Sequence, residues 1–363
     1  TQYIIHQSSV DMHVGTDTSD STIRETKRVF VYQPGKSLLV MNTFAMAEAQ
    51  ANLVQRVGYF GSENGIFLEK NDANTCIVLR SNSTGSIIET RVPQIEWNKD
   101  KFDGTANSYS HSVDDHGALN TSNTNIFWID VEWLGVGDVR CGFVINGVMK
   151  VAHVFHNDNV NTSTYMSTAC LPIRYEIKNT AATGNSSVLK QICSTVISEG
   201  GYELRGRQFS MNTSVTSAYD LTNSGQYYPV IALRLANTRL DAAAVLSGLS
   251  VLGIGNNGVY HWKIVIGGTV TEPGSPTGWV AVANSAIEYK MDGTAFTGGR
   301  TVISGFIGSS TQSSVPVVLP KDDLFKFQFE RNGLTNTADP IILAIASKRS
   351  EERRVGKECR SRW

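Results

Sequence analysis

The 363-residue sequence has little charge and lacks any long apolar segment. Charged residues make up 18% of the chain and the formal net charge is −1, whereas a nucleic-acid-binding surface normally needs clustered Lys and Arg. No apolar run reaches the roughly 18 residues that a membrane-spanning helix requires. We therefore expect no nucleic-acid partner and no membrane span.

Cysteine is also scarce, with five residues in the whole chain. Cys76, Cys141, Cys170 and Cys193 form no C-x-x-C pair and have no His partner at zinc-like spacing. Each lies in or beside an apolar, strand-like run, where a free thiol packs like a small hydrophobic side chain. We predict no disulfide framework, no metal site and no cofactor.

The fifth cysteine, Cys359, belongs to a C-terminal segment that differs abruptly from the apolar run before it. Residues 349–363 read RSEERRVGKECRSRW. This string resembles the one-frame translation of a common short-read sequencing adapter, which implies a non-native tail to be left out of fold reasoning. Because the chain also starts at Thr1 rather than Met, we expect a fragment truncated at both ends.

Amphipathic helical spacing is almost absent, and apolar residues instead alternate with polar ones, which predicts β-strands. In the clearest strand, residues 125–133, the odd-numbered positions from 127 to 133 are apolar, while Trp128, Asp130 and Glu132 face the other way. Asn146-Gly147 stands between two alternating runs and predicts a hairpin, since both turn positions need positive φ. A second hairpin is predicted at Asn257-Gly258, between residues 249–254 and 259–266.

The spacing of the strands predicts an all-β fold made of two antiparallel β-sandwich domains in tandem, of the jelly-roll, concanavalin-like or lectin-like kind. We assign residues 1–19 to an N-terminal strand or arm, 20–180 to the jelly roll, 181–187 to a small polar linker and 188–348 to the second sandwich. Further strands are predicted at 37–45, 53–60, 66–70, 76–80, 87–92, 139–145, 148–155, 173–178, 189–197, 228–235, 279–289, 301–306, 315–319, 324–329 and 341–346.

One strand carries a possible catalytic pattern. Trp128-Ile-Asp130-Val-Glu132 resembles the E-I-D-x-E strand of laminarinase-type glycosidases, which are concanavalin-like jelly rolls. The resemblance implies a supporting role for Asp130 and an acid/base role for Glu132. However, Trp128 stands where the family has its nucleophile, and double displacement needs two carboxylates in the roles of nucleophile and acid/base. We therefore predict that the chain is not an enzyme, with a jelly-roll glycosidase or depolymerase, or a lectin, as alternatives.

Five polar or aromatic residues are the candidate contacts for a glycan or a neighbouring subunit: Trp128, Asp130, Glu132, Asn157 and Asn159. The first three share one face of a strand, and the two asparagines lie in a polar loop at 157–164. A longer loop at 103–120 is a further candidate for the same role.

Several segments resemble a family of structural proteins from phages and large viruses. The resemblance covers residues 20–180 well and residues 228–346 more weakly. Cys141, where an aromatic residue is expected, and Asp138, where a basic residue is usual, depart from the family pattern. The segments read YQPGKS at 32–37, RVGYF at 56–60, NGIFLE at 64–69, WNKDKFDG at 97–104, EWLGVG at 132–137, GFVING at 142–147, YMST at 165–168 and LPIRYEI at 171–177.

The resemblance implies a virion structural protein, tail- or capsid-associated in a tailed phage, and located in the virion. Its expected partners are other copies of itself in a homo-oligomer, other virion proteins and a host surface glycan. A helix-poor sandwich without a complete catalytic motif is compatible with this role, because such folds serve as assembly and binding modules.

Overall fold

The computed structural model describes residues 1–105, 118–203, 206–214, 216, 218–254, 258–272, 278–309, 315–318 and 326–347. Most of the candidate loop at 103–120, the turn residue Asn257 and the tail at 349–363 lie outside these ranges. The chain divides into two compact units, residues 1–204 (unit 1) and 205–363 (unit 2). The predicted all-β, antiparallel fold is confirmed, since strands dominate the described residues and the helical segments among them are short 3-10 turns. No helix in the described part of the chain is long and apolar enough to cross a membrane.

Unit 1 contains thirteen strands among its described residues, with 3-10 turns at Ile5–Gln7 and Gln94–Glu96. The strands are β1 (Gln2–Ile4), β2 (Ser9–Val14), β3 (Ser21–Glu25), β4 (Leu38–Ala45), β5 (Leu53–Phe60), β6 (Gly65–Asn71), β7 (Asn74–Ser81), β8 (Ile88–Pro93), β9 (Asn125–Val131), β10 (Val139–Ile145), β11 (Val148–Phe155), β12 (Ile173–Asn179) and β13 (Ser187–Ser198).

These strands form a sandwich of two antiparallel sheets. The first sheet has the order β1-β2-β13-β4-β9-β10-β11 and the second has the order β3-β12-β5-β6-β7-β8. Alternate side chains of both sheets point inward into one apolar core, which includes Phe44, Tyr59, Phe127, Phe143 and Tyr175, each fully buried. The other face of each sheet points outward, and we call it the outer face.

The predicted hairpin at Asn146-Gly147 is confirmed. Asn146 has φ of 51° and Gly147 of 79°, and Ile145 pairs with Val148 across the turn. Two consecutive positive φ values suit the right-handed twist of the flanking strands, and Asn-Gly is the sequence that adopts them most readily.

The structure divides the chain at a different place from the predicted linker at 181–187. Strand β12 ends at Asn179 in the second sheet, and β13 begins at Ser187 between β2 and β4 of the first sheet. The small polar segment is therefore a connection between the two layers of unit 1. Residues 1–19, predicted as an N-terminal strand or arm outside the jelly roll, do form strands, but these belong to the first sheet, and Met12 and Val14 of β2 lie in its core. A polar stretch between strands looks the same in sequence whether it joins two domains or two layers of one domain.

The outer face of the second sheet carries a buried layer of charged side chains. Arg56 bonds Glu69 at 2.7 Å and Glu176 at 3.1 Å. Beneath it, Phe60 and Phe67 are fully buried, and the Arg56 guanidinium lies 5.4 Å from the centre of the Phe67 ring. Further arginine–carboxylate pairs extend this layer along the sheet: Arg80–Glu89, Arg91–Glu69, Arg174–Glu25 and Arg174–Glu176.

The described strands of unit 2 are β14 (Tyr228–Leu235), β15 (Gly248–Val251), β16 (Val259–Ile266), β17 (Thr269–Thr271), β18 (Val280–Ala281), β19 (Ile287–Met291), β20 (Ala295–Thr297), β21 (Arg300–Gly308), β22 (Val315–Val318), β23 (Glu330–Asn332), β24 (Thr337–Asp339) and β25 (Ile341–Ser347). Six of them form one antiparallel sheet with the order β18-β19-β14-β25-β16-β21. The others form the two-stranded pairs β15-β22, β17-β20 and β23-β24.

The second predicted hairpin is wrong, although its turn residue Asn257 itself is outside the described residues. Strand β16 pairs with β21 on one side and β25 on the other, so it has no free edge for β15. Instead β15 pairs with β22, far along the chain. The predicted strand at 279–289 is in fact two paired strands, β18 and β19. Of the strand predicted at 324–329, the described residues 326–329 form no strand. Local alternation identifies strands but does not identify distant partners.

Candidate functional site

The candidate site lies on the outer face of the first sheet, at strands β13, β4, β9 and β10. Phe127, Ile129 and Val131 of β9 point into the core. Because successive side chains alternate, Trp128 and Asp130 point outward. Glu132 follows β9 directly and continues its ladder, since its backbone N–H donates to the carbonyl of Asp138 at 3.2 Å.

Two carboxylates on this face share one arginine. Nη2 of Arg140 on β10 lies 2.5 Å from Oδ2 of Asp130 and 2.7 Å from Oε1 of Glu132. The register explains this arrangement, because Arg140 is paired directly with Asp130. The two carboxylate oxygens, both bound to the same nitrogen, therefore lie within about 5 Å of each other, a spacing in the range where two carboxyl groups act together on one glycosidic bond.

The two carboxylates have unlike environments. The Asp130 side chain is 10% exposed and that of Glu132 is 53% exposed. Burial raises the pKa of Asp130 above its ordinary value; the Arg140 guanidinium lowers it, and the charges of Glu199 and Glu132 raise it. Asp130 is thus the buried carboxyl whose raised pKa favours the protonated form, and Glu132 is the carboxyl open to solvent.

Further polar side chains lie in the same row across neighbouring strands. The N–H of Glu199, directly after β13, donates to the carbonyl of Ser37 at 3.0 Å, and the Ser37 hydroxyl donates to the Glu199 carboxylate. On the other side of Glu132, Oδ2 of Asp138 lies 3.0 Å from Nδ1 of His156. The end of the first sheet therefore presents a row of acidic side chains with one histidine.

Trp128 lies on the same outer face of β9, next to this row. It is only 3% exposed, and its indole lies against Gly142, where an added Cβ would come within 2.8 Å of the ring and 1.9 Å of the Lys150 carbonyl. Its Nε1–H has no hydrogen-bond partner among the described residues. The tryptophan supports the face but is nearly closed to a ligand.

The two asparagines of the predicted contact loop differ from each other in exposure and in the contacts they make. Asn157 is buried, and its side-chain amide donates to the Gly137 carbonyl at 2.9 Å. Asn159 is exposed with φ of 54°. Asn157 thus fixes the loop at 133–137 next to Glu132, and Asn159 is the exposed residue of the pair.

The sequence pattern of a single strand gave Asp130 and Glu132 but missed their partners. Arg140 could have been found by pairing the strand at 125–133 with the one that follows it. Ser37 and Glu199 come from β4 and β13, and their approach to β9 is a consequence of sheet order, which no local signal carries. Among the described residues no group of three or more His, Cys, Asp or Glu side chains is placed to hold a metal ion.

No protein-family model matches the chain, and no curated protein matches it. Three similar solved structures are a legume lectin-like domain from Entamoeba histolytica, an endo-beta-1,4-glucuronan lyase from the fungus Trichoderma reesei and a beta-glucanase from Bacillus licheniformis. Their identities are 11%, 8% and 9% and their TM-scores 0.32, 0.31 and 0.29. The alignments cover 53%, 52% and 53% of this chain and 85%, 80% and 78% of those chains.

The prediction that the chain is not an enzyme is corrected: the similar structures include a glucuronan lyase, a beta-glucanase and an alginate lyase. The prediction rested on Trp128 standing in the nucleophile position of one strand. It took no account of carboxylates that neighbouring strands bring to the same face, such as Asp138 and Glu199.

Proposed function

We propose that unit 1 is a glycan-active jelly-roll domain that binds a polysaccharide on the outer face of its first sheet and hydrolyses a glycosidic bond there. The observation that carries the proposal is the pair formed by Asp130 and Glu132, held within about 5 Å by Arg140. One carboxyl is buried with a raised pKa and the other is exposed. A buried carboxyl with a raised pKa is suited to act as the acid, and an exposed carboxylate is suited to act as the nucleophile.

The separation favours the retaining reaction over the inverting one, which needs roughly 6.5–9.5 Å to admit a water molecule between the carboxyl groups. In the first step, protonated Asp130 gives its proton to the glycosidic oxygen as the bond to the anomeric carbon breaks. The Glu132 carboxylate forms an ester bond to that carbon. In the second step, Asp130 takes a proton from water, which attacks the anomeric carbon and releases Glu132.

Arg140 has a positioning role in this proposal. Its side chain is 44% exposed, so it can move from the carboxylates toward a bound sugar without leaving solvent contact. When it stays, it holds both carboxylates in one orientation and lowers the pKa of Asp130. Glu199, bonded to Ser37, opposes that effect by raising the same pKa.

The test is release of new reducing ends from a panel of β-glucans and bacterial polysaccharides. We expect turnover by the unaltered chain, and Glu132→Gln is expected to lower kcat by at least about 100-fold because it removes the nucleophile. Glu63→Gln is the matched control, since Glu63 bonds Asn82 at a different place in unit 1 and should leave turnover unchanged.

Two results would overturn this proposal. One is the absence of product from the whole panel by a folded, unaltered chain, with or without binding. The other is equal turnover by the unaltered chain and by the Glu132→Gln variant.

A role in a virus particle is a second proposal, which the family-like segments at 32–37, 132–137 and 171–177 favour. A glycan-active domain in a particle would act on host surface polysaccharide. Mass spectrometry of virus particles purified by density tests it, with the tryptic peptide at 92–99 (VPQIEWNK) as target. Abundant peptide in the particles supports the role, and its absence from well-covered particles, despite expression in cells, contradicts it.

A further inference from the structure

A second surface with binding character lies on unit 2, on the face of its six-stranded sheet that points away from the main core. Trp262 and Ile264 of β16 point into that core. Because successive side chains of a strand alternate, His261 and Lys263 point to the opposite face. Part of this face is covered by the β17-β20 pair, since Val270 packs against it. Beside the covered part lie three aromatic rings and one ammonium group, which we call the shelf: Phe306 is exposed, and Tyr227, His261 and Lys263 are half-buried.

The rings of the shelf contact one another in a row. His261 and Phe306 are paired across β16 and β21 with ring centres 4.6 Å apart. On the other side, Nδ1 of His261 lies 2.7 Å from the hydroxyl of Tyr227, and the two ring centres are 5.7 Å apart. Phe306 is 64% exposed. An exposed aromatic ring backed by other rings is an apolar platform of fixed orientation.

Lys263 stands at the inner edge of the shelf, next to the covered part. Its Nζ lies 3.8 Å from the centre of the Tyr227 ring and 5.3 Å from that of Phe296. Within the described part of the chain no carboxylate lies within salt-bridge distance of this ammonium. Aromatic rings attract the cation but leave its charge uncompensated.

We propose that this shelf binds an acidic polysaccharide, one that carries uronate carboxylates. The apolar C–H face of a sugar ring stacks on Phe306 and His261, and a carboxylate of the same or the next sugar pairs with Lys263. A nucleic acid fits less well, because its phosphate chain calls for a row of cations and the shelf has a single lysine. The shelf shares no residue with the carboxylate pair of unit 1.

The test is titration of the full chain with polygalacturonate oligosaccharides and, separately, with neutral β-glucan oligosaccharides of equal length. Lys263→Met should weaken binding of the acidic oligosaccharide about tenfold or more, the loss expected for one charge-assisted bond, and Lys263→Arg should restore most of it. Phe306→Ala should weaken binding to a similar degree. Lys326→Met and Phe209→Ala are matched controls in unit 2, and thermal unfolding checks that each variant folds.

Three results would overturn the proposal: unchanged affinity in Lys263→Met, an equal loss of affinity for the neutral oligosaccharide in that variant, or tighter binding of a single-stranded oligonucleotide than of the uronate. Asp130→Asn separates this proposal from that for unit 1. If acidic oligosaccharide binding depends on Asp130 and not on Lys263, the shelf proposal fails while the unit 1 site stands. If it depends on Lys263 alone, the shelf is a site in its own right.

Discussion

At the residue scale, Asp130 combines a raised pKa with a buried position, and both follow from its place on β9 opposite Arg140. The folded protein holds this proton more tightly than the unfolded chain. The resulting stabilisation is present below the unfolded-state pKa near 3.8 and is lost as pH rises through the folded-state pKa. At neutral pH the ionised Asp130 therefore opposes folding, as expected of a group retained for chemistry.

The free energy of unfolding of the Asp130→Asn variant should therefore rise relative to that of the unaltered chain as pH rises from about 4 to 7. The reason is that the buried carboxyl ionises over this range, whereas the amide stays neutral. Thermal unfolding at a series of pH values measures this difference. Asp17→Asn, at an exposed bend, is the control variant. A variant whose stability relative to the unaltered chain falls with rising pH would mean that the Arg140 pair outweighs burial.

His153 gives a second prediction, of opposite sign. Burial, with the charge of His156, lowers its pKa from 6.5 to about 4, and its Nδ1 accepts the Asn98 backbone N–H at 3.3 Å. Between these values the unfolded chain binds a proton that the folded chain does not, so stability is lost as pH falls from about 6.5 to about 4.

His153→Gln should reduce the acid sensitivity of unfolding by up to about 3 kcal/mol between pH 6.5 and 4. Denaturant unfolding at several pH values measures it, with the exposed His6→Gln as control. An unchanged pH dependence in the His153 variant would show that other groups cause the acid sensitivity.

At the element scale, the two sheets of unit 1 use their outer faces differently. On the second sheet Arg56 has two carboxylate partners and an aromatic ring beneath it, so the charges there are largely compensated. On the first sheet, Asp130 and Glu132 share Arg140 as a salt-bridge partner, and Asp138 and Glu199 lie in the same row. The charges of the second sheet thus stabilise the fold, and the proposed binding face is that of the first sheet.

Arg56→Met should destabilise unit 1 by about 3–5 kcal/mol, because it leaves the buried carboxylates of Glu69 and Glu176 without one of their cations. Denaturant unfolding measures this loss, and Lys27→Met, at an exposed bend, is the control. A loss below about 1 kcal/mol would show that Arg91 and Arg174 compensate those carboxylates without Arg56.

Most strands of unit 1 could be predicted from alternation, and β5, β10 and β11 match the predicted bounds. The Asn146-Gly147 hairpin was predictable because its turn chemistry is local. Sheet order was not, since β13 enters between β2 and β4 through pairings that depend on the whole sandwich. For the same reason the sequence indicated Asp130 and Glu132 but not Glu199.

At the scale of the whole molecule, the unit boundary has a direct consequence. Strand β13 supplies Leu189 to the unit 1 core and bonds both β2 and β4. A fragment of residues 1–203 should therefore fold alone with cooperative unfolding, whereas one ending at residue 180 should not, because it loses an interior strand. Circular dichroism and thermal unfolding compare the two. Cooperative folding of the shorter fragment would contradict this division of the chain.

The central claim is that a polysaccharide binds on the outer face of the first sheet. Hydrogen–deuterium exchange of the full chain tests this claim most directly. It is measured with and without an oligosaccharide of a polysaccharide that the chain cleaves. The Glu132→Gln variant keeps the ligand intact during the measurement. We predict slower exchange in β9, β10 and the end of β13, with the second sheet unchanged. Protection confined to the second sheet, or none at a saturating concentration, would contradict the account.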